Sequence, residues 1–198
     1  EDFGFQQRLM HILEQRGELD RSVEYLPDEM ALAERRKRNA PLTRPELAVL
    51  LAYAKLSLYS ELLDSNVPDD PYLGRELNRY FPKEMTERYP DALQSHRLRR
   101  EIIATQLTNS MINRGGSTLI VRIADQTGAS SASIAAAFAA VRQSYEMVAL
   151  NSEIDALDNK VKGDVQLSLY AAVQNLLLVR IVWFLRNGDL HKGLNAIV

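Results

Sequence analysis

The sequence predicts an all-α fold of roughly eight to ten helices, forming a single domain over residues 1–198. Apolar residues recur at intervals of three and four along most of the chain, which is the spacing of one helix face. No segment shows the alternation of polar and apolar residues that is typical of a half-buried strand. With 46% hydrophobic residues in a chain of 198, the protein is large enough to bury a core.

The N-terminal part predicts three short helices. The first ends near Gly17, a second and weaker one covers residues 19–25, and a third follows Pro27. The third ends in the basic run of residues 35–38, which can bind phosphate or can place cations at the negative end of the helix dipole. We favour the dipole interpretation, because basic residues stabilise the last turn of a helix.

Three long helices account for most of the predicted core. They are expected near residues 44–65, 91–114 and 164–186. Thr43 and Glu46 predict a capping box at the start of the first, in which each side chain bonds the other residue's backbone amide. Gly115 and Gly116 end the second. The predicted buried side of the third consists of Leu169, Val173, Leu176, Leu177, Ile181 and Phe184.

Two aspartates, Asp69 and Asp70, precede Pro71 and a further predicted helix through Leu73 and Leu77. A pair of carboxylates can bind a cation, but the neighbouring residues lack the alternating oxygen ligands of a calcium loop. We interpret the pair as a helix cap, whose oxygens accept hydrogen bonds from the first backbone amides.

Residues 118–145 have the spacing of a helix-turn-helix corner. Ser117 is a candidate cap for a helix that ends at Gly128, and Ser130 is a candidate cap for the next helix. A DNA-reading second helix needs exposed Arg, Lys, Asn or Gln. This helix instead offers serines and the alanine-rich face of residues 135–140, which is suited to packing on another helix or subunit. A nucleic-acid-binding or regulatory interaction module is therefore the alternative interpretation, not the leading one.

Composition argues against several kinds of site. The chain has no cysteine for disulfides, thiolate nucleophiles or metal binding, and its net charge of −2 gives no general attraction to nucleic acid or anionic membrane. His11, His96 and His191 are far apart and lack a second ligand at helical spacing. The longest apolar run, residues 176–185, is interrupted by Arg180 and is too short to span a bilayer. We predict no catalytic, metal or cofactor site in this chain, and no nucleic-acid or membrane partner.

The helix expected near residues 91–114 has a polar face that is richer in arginine and amide groups than solvation requires. Its members are Arg99, Arg100, Gln106, Asn109, Asn113 and Arg114. Two explanations are open for this face. It can dock onto a partner, or it can satisfy helix ends and loop carbonyls inside the domain.

Eight segments spread over nearly the whole chain carry a recognisable pattern. They are 2–8 (DFGFQQR), 42–55 (LTRPELAVLLAYAK), 69–73 (DDPYL), 80–82 (YFP), 96–107 (HRLRREIIATQL), 113–116 (NRGG), 127–130 (TGAS) and 156–161 (ALDNKV). Together, in this order, they resemble the large bacterial NAD-specific glutamate dehydrogenases. The chain departs from that pattern mainly after Asp164 and in the tail from Asp189.

The resemblance implies that the chain is the helical C-terminal region of a longer enzyme. That parent would convert L-glutamate, NAD and water to 2-oxoglutarate, ammonia and NADH in the cytoplasm. The family's dinucleotide fingerprint and catalytic lysine have no counterpart here. The implied role is therefore structural and assembly-related, with regulation as a further role. The implied partners are the catalytic part of the same polypeptide, reached through residues 1–40, and other subunits of a homo-oligomer.

Overall fold

The computed structural model describes residues 2–188 and 193–196, and the described chain is built from α-helices without strands. The all-α prediction is confirmed, while His191 lies outside the described residues. The helices are α1 (Asp2–Gln15), α2 (Glu29–Lys37), α3 (Arg44–Leu63), α4 (Arg75–Tyr80), α5 (Lys83–Arg88), α6 (Pro90–Gln94), α7 (Arg99–Gly115), α8 (Leu119–Thr127), α9 (Ser131–Ser144), α10 (Met147–Asp155) and α11 (Gly163–Asn187). Single 3-10 turns occur at Val67–Asp69, Pro71–Gly74 and Leu194–Ala196.

Helix α3 begins as predicted. The Glu46 amide donates to Thr43 Oγ1 at 3.5 Å, and the Thr43 amide donates to Glu46 Oε2 at 2.7 Å, which completes the capping box. Asp70 also acts as a cap, because its Oδ1 accepts from the Tyr72 amide at 2.9 Å. Its Oδ2 accepts from the Leu194 amide at 3.1 Å and so fixes the C-terminal turn against the same loop.

The long helix predicted near residues 91–114 is divided in two, which was not expected. Helix α6 ends at Gln94, and α7 begins only at Arg99. The ring Nδ1 of His96 accepts from the Leu98 amide at 3.1 Å, an amide that a continuous helix would bond to the carbonyl four residues earlier. This division helps to explain why the described residues hold eleven helices rather than eight to ten.

Residues 19–25 form a hydrogen-bonded turn and not the weak helix that was predicted. Tyr25 has a positive φ of 54°, and the Leu26 amide bonds the Arg21 carbonyl, so the chain closes after one turn. The buried Arg21 side chain ties this turn to α1 and α2 through Glu14 at 2.5 Å and Glu29 at 2.9 Å. Ion pairs with the two flanking helices, and not apolar periodicity within the segment, are what hold this turn in place.

Helices α7 and α9 lie at the centre of the domain. Helix α7 packs against α3 and α4 and also contacts α8, α9 and α11, and it buries Ile103, Leu107 and Met111 completely. Helix α9 packs against α11, α10, α8 and α3 and places Phe138 in the core. The N-terminal helix α1 joins the same hydrophobic cluster through Met10 and its neighbours.

The alanine face of α9 is buried within the domain, whereas the sequence suggested an exposed packing face. Ala135, Ala137, Ala139 and Ala140 each have 0% of their surface exposed. Small side chains at these positions let neighbouring helices of the same domain approach closely. This face therefore contacts α9's own neighbours and offers no docking surface.

The corner between α8 and α9 is largely as predicted. Gly128 adopts the left-handed conformation that ends α8, and Ser130 Oγ accepts from the Ser133 amide at 3.2 Å. Ser117 does not cap α8, because the capping position is Thr118 and no side-chain bond is made there.

Helix α9 is separated from α10 at Glu146, which has a positive φ of 48°. Asn151 lies inside α10, buried, and its side-chain amide donates to the Met147 carbonyl at 2.6 Å. Helix α11 spans the predicted length, but Leu169 on its predicted buried side is 37% exposed.

Candidate ligand cleft and docking surface

Arg99 and Arg100 bond the loop that follows α3. Arg99 Nη1 donates to the Pro68 carbonyl at 2.9 Å. Arg100 Nη2 donates to the Leu63 carbonyl at 2.7 Å, and its Nη1 pairs with Asp69. The hydrogen bond to the Asp69 carboxylate raises the pKa of Arg100 above its ordinary value. Arg100 therefore satisfies the carbonyl of Leu63, the last residue of α3, which has no partner within its own helix, and Arg99 bonds a carbonyl of the following loop.

The remaining members of the predicted polar face lie further along α7. Gln106, Asn113 and Arg114 line a cleft, whereas Asn109 is half-buried and outside the cleft lining. Arg114 Nη2 lies 3.9 Å from Asp155 Oδ2 of α10. The structure thus divides the predicted face into one end that bonds a loop and another that borders the cleft.

The cleft has a volume of about 730 Å³ and is bordered by α3, α4, α7, α9, α10 and α11. Phe138, Met147 and Leu177 contribute apolar surface to it, and polar residues of α7 also border it. Small-molecule sites in proteins typically measure about 300–1,000 Å³ and combine an apolar lining with a few polar groups. This cleft has both properties.

A buried ion pair forms part of the cleft wall. Glu76 on α4 is 2% exposed and Arg142 on α9 is 7% exposed, and Arg142 Nη2 donates to Glu76 Oε1. Arg79 Nη1 donates to the same carboxylate oxygen at 3.1 Å. The guanidinium of Arg142 also lies 5.7 Å from the ring centroid of Phe138 and 3.4 Å from Ser110 Oγ. Two guanidinium groups therefore share one carboxylate.

The sequence analysis did not identify Glu76 or Arg142 as site residues. A weak signal was present, because each occupies a core-facing position, Glu76 beside Leu77 and Arg142 four residues after Phe138. Charged residues are rarely buried unless paired, so two opposite charges at such positions indicate a buried pair. Their separation of 66 positions gave no means of matching them before the helices were placed.

Helix α11 has apolar residues on two separate faces. Its inward face buries Leu177, Ile181 and Phe184. The second face, called here the outward stripe, consists of Val165, Leu169, Ala172, Leu176, Val179 and Trp183, spaced four and three residues apart in alternation. Val179 is 57% exposed and Trp183 48% exposed, and Leu176 is the half-buried member.

Among the described helices, α11 is also the one whose length and apolar composition would suffice to cross a membrane. Only 17% of its most apolar 18-residue window is buried in this domain. The prediction based on residues 176–185 considered a shorter segment than the helix that forms. Length and composition alone are weak evidence of a membrane span, since a helix buried by another protein surface has the same properties.

The corner between α8 and α9 does not expose a helix that could serve as a DNA-recognition helix. Its second helix, α9, is the buried centre of the domain, with Ile134 and Val141 both at 0% exposure. An α-helix must project from the protein surface to enter a DNA groove. The resemblance to a DNA-binding corner is therefore confined to its shape.

The histidines in the described residues have local roles. His96 bonds the backbone next to it, and His11 Nε2 lies 2.9 Å from Gln15 Nε2 on the same helix. Within residues 2–188 and 193–196, no group of three or more His, Cys, Asp or Glu is placed to hold a metal ion.

The described residues thus form an all-α domain with a cleft between its helices and an apolar face of α11 that the domain leaves uncovered. The family profile described as glutamate dehydrogenase, C-terminal, matches residues 39–198, and the chain belongs to this family. NAD-specific glutamate dehydrogenases of Halomonas elongata and Pseudomonas aeruginosa are each 42% identical to it, over 90% and 91% of the chain. The enzyme of Mycobacterium tuberculosis is 39% identical over 61% of the chain. The resemblance noted in the sequence is confirmed. The chain spans about 11% of the length of the first two relatives and 7% of the third.

Proposed function

We propose that this chain is a non-catalytic helical domain that serves the assembly of an NAD-dependent glutamate dehydrogenase. The parent enzyme converts L-glutamate, NAD and water to 2-oxoglutarate, ammonia and NADH in the cytoplasm. Its NAD site and catalytic residues lie in polypeptide outside these 198 residues. Membership of the C-terminal family and the names of the relatives support this chemistry for the parent.

The outward stripe of α11 is the observation that carries an assembly role. A helix that is apolar all round is normally buried on all sides, and a four-three spacing is that of a seam between packed helices. Polar residues of α11 that point toward the domain form hydrogen bonds within it. Gln166 Nε2 donates to the Ile154 carbonyl at 2.9 Å, and Gln174 Nε2 donates to the Gly115 carbonyl at 3.0 Å. The stripe is the face of α11 that a further protein surface would cover.

The size of the stripe favours the rest of the same polypeptide over a second copy as its partner. Eighteen residues of helix rise about 27 Å, and a helix is about 10 Å wide, so each side contributes about 270 Å². Two such faces give about 540 Å², below the roughly 1,000 Å² that a stable free interface needs. A tethered partner acts at a high effective concentration and tolerates a small contact. The chain spans about 11% of its relatives' length, so most of the polypeptide is available for this contact.

Cysteine labelling of the full-length enzyme tests this proposal. The 198 residues contain no cysteine, so Val179→Cys introduces a thiol that mass spectrometry of its peptide reports separately. Leu56→Cys on α3 is the matched control, since Leu56 is a 61% exposed apolar residue on another helix. We expect maleimide to label Val179→Cys about tenfold more slowly than Leu56→Cys, because a docked face reacts only when it opens.

The concentration dependence of labelling identifies the partner. Docking within one polypeptide gives protection that does not change with enzyme concentration, whereas a contact between copies loses protection on dilution. Protection that arises only when lipid vesicles are added would identify a membrane instead. Equal labelling of the two cysteines at every concentration would overturn the proposal.

We also propose that the predicted polar face of α7 contacts neighbouring subunits of the enzyme. Its two ends differ, since Arg100 bonds a loop of its own domain while Asn113 borders the cleft and is exposed. Substituting each in the full enzyme and measuring assembly state and activity tests the docking role. Unchanged oligomers and rates in both variants would exclude it.

Residues 1–40 are proposed to connect to the catalytic part, supported by a family match that begins at residue 39.

A further inference from the structure

We propose that the cleft bordered by α3, α4, α7, α9, α10 and α11 binds a small organic anion. Arginine side chains would hold its carboxylate or phosphate group, and its apolar portion would pack on the apolar wall. The site is independent of docking at the outward stripe, because the two lie on opposite sides of α11. Tyr170 and Gln174 border the cleft, whereas none of the stripe residues does.

The cleft carries excess positive charge. Its charged lining residues are Arg79, Arg114, Arg142 and Glu76, a net charge of +2 in a chain whose net charge is −2. The carboxylate of Asp155, just outside the lining, is 3.9 Å from Arg114 and also accepts a hydrogen bond from the hydroxyl group of Tyr170. That hydrogen bond raises the pKa of Tyr170, so the hydroxyl keeps its proton at neutral pH. An anion entering the cleft meets cations that are only partly compensated.

The shared carboxylate leaves one guanidinium available to a ligand. Glu76 balances the charge of either Arg142 or Arg79, but not of both. Arg142 is held in place by burial and by its bonds, whereas the Arg79 side chain is 40% exposed and contacts Glu76 from the same short helix. Arg79, as the more exposed of the two guanidinium groups, is therefore the one that an anion in the cleft can reach.

The apolar wall and the amides define the rest of the ligand. Ile112, Phe138 and Leu177 provide a low-polarity surface, which strengthens charge interactions beside it. Gln106 and Asn113 border the cleft with side-chain amides that can donate to an anion's oxygens. This combination fits an amphipathic anion better than a free inorganic ion.

A cysteine at Val148 reports directly on occupancy of the cleft. Val148 lines the cleft and is 51% exposed, and the 198 residues contain no cysteine. Maleimide labelling of Val148→Cys in the full-length enzyme is followed on its own peptide, so binding at the catalytic site does not interfere. The probes are phenylacetate, phenyl phosphate and the neutral 2-phenylethanol. We expect the anions to slow labelling about tenfold at about 90% occupancy, and the alcohol to have no effect.

Variants of the arginines test the charge requirement. Arg79→Gln should raise the anion concentration for half-protection about tenfold, as expected for the loss of one charge-assisted hydrogen bond. Arg75→Gln is the matched control, because Arg75 is exposed on the same helix and stacks on the Tyr72 ring at 4.4 Å.

Each outcome decides the proposal. Protection by both anions that depends on Arg79 supports it, and the stronger of the two probes identifies the preferred head group. Protection by the alcohol equal to that by the anions would overturn it, as would unchanged affinity in Arg79→Gln. The proposal would also be overturned if Val148→Cys is labelled slowly without any probe and the anions do not change that rate. That result would show that a segment of the parent polypeptide fills the cleft. These expected results remain the same whether or not the outward stripe docks onto the parent polypeptide.

Discussion

Glu46 joins the end of α2 to the start of α3 through a single carboxylate. Arg35 donates to both of its oxygens, at 2.6 Å and 2.8 Å, and the Thr43 amide donates at 2.7 Å. The hydrogen bonds from Arg35 lower the pKa of Glu46 from 4.5 to about 2, with the Thr43 amide as a smaller cause. The lowered pKa means that the folded chain binds this proton less readily than the unfolded chain.

The first prediction follows from the direction of that shift. Stability from ionised Glu46 is fully present above pH 4.5 and is lost as pH falls toward about 2. Glu46→Gln should lower the free energy of unfolding of the 198-residue chain by about 1–3 kcal/mol at pH 7, through loss of the ion pair and weakening of the cap. Urea denaturation at several pH values should show this difference shrinking below pH 4.5. Glu153→Gln, at an exposed position on α10, is the control and should show no such trend.

Gly116 supports a second prediction at the scale of one residue. Its φ of 85° and ψ of 167° lie in a region open almost only to glycine, and an added Cβ would lie 3.4 Å from Gln174 Nε2. Gly116→Ala should destabilise the chain by about 1–3 kcal/mol because of this strain. Gly4→Ala is the control, because a Cβ there meets no atom within 4 Å in an ordinary helix. An unfolding midpoint unchanged by Gly116→Ala would contradict the strain argument.

Whole elements were predictable from sequence where their signals are local. The capping box of Thr43 and Glu46, the cap at Ser130 and the stop at Gly128 involve residues within a few positions of one another, and all three formed. Segments governed by distant contacts were predicted wrongly. Residues 19–25 depend on ion pairs of Arg21 with two other helices, so helical spacing alone was misleading there.

The pairing of α4 with α9 gives a prediction at the scale of elements. Glu76→Leu should cost about 3–5 kcal/mol, because it leaves Arg142 charged and buried. Arg142→Leu should cost less, since Arg79 at 3.1 Å still balances Glu76. The double variant Glu76→Leu/Arg142→Leu should recover most of the loss, because apolar packing can replace a buried pair.

Denaturant unfolding of the three variants checks this order. The control is Glu87→Leu, which breaks the exposed Lys83–Glu87 pair on α5 and should change stability by less than about 1 kcal/mol. A double variant as unstable as Glu76→Leu would show that the pair stabilises the helix contact in its own right.

At the scale of the whole molecule, the sequence predicted the fold class and the family but not the site. The polar face of α7 was found from composition, yet Arg99 and Arg100 contact a loop while Gln106, Asn113 and Arg114 border the cleft. The cleft itself forms only when six helices are in their final places. The sequence also did not show which apolar face of α11 would be exposed. The two faces have similar residues, and they differ only in whether other helices of the domain pack against them.

The outward stripe leads to the last prediction, which concerns the 198-residue chain without its parent. With its partner surface missing, the stripe leaves apolar side chains such as Val179 and Trp183 in water, and copies of the chain can cover one another's stripes. The contact of about 540 Å² is too small for a stable dimer, so association should be weak and concentration-dependent. Leu169→Glu/Val179→Glu should abolish it, as measured by sedimentation equilibrium, and should leave the unfolding temperature nearly unchanged because both residues are exposed. Leu56→Glu, at an exposed apolar position on α3, should leave association intact. If the stripe variant associates as the wild type does, another surface of the isolated domain causes the association and the exposed stripe does not.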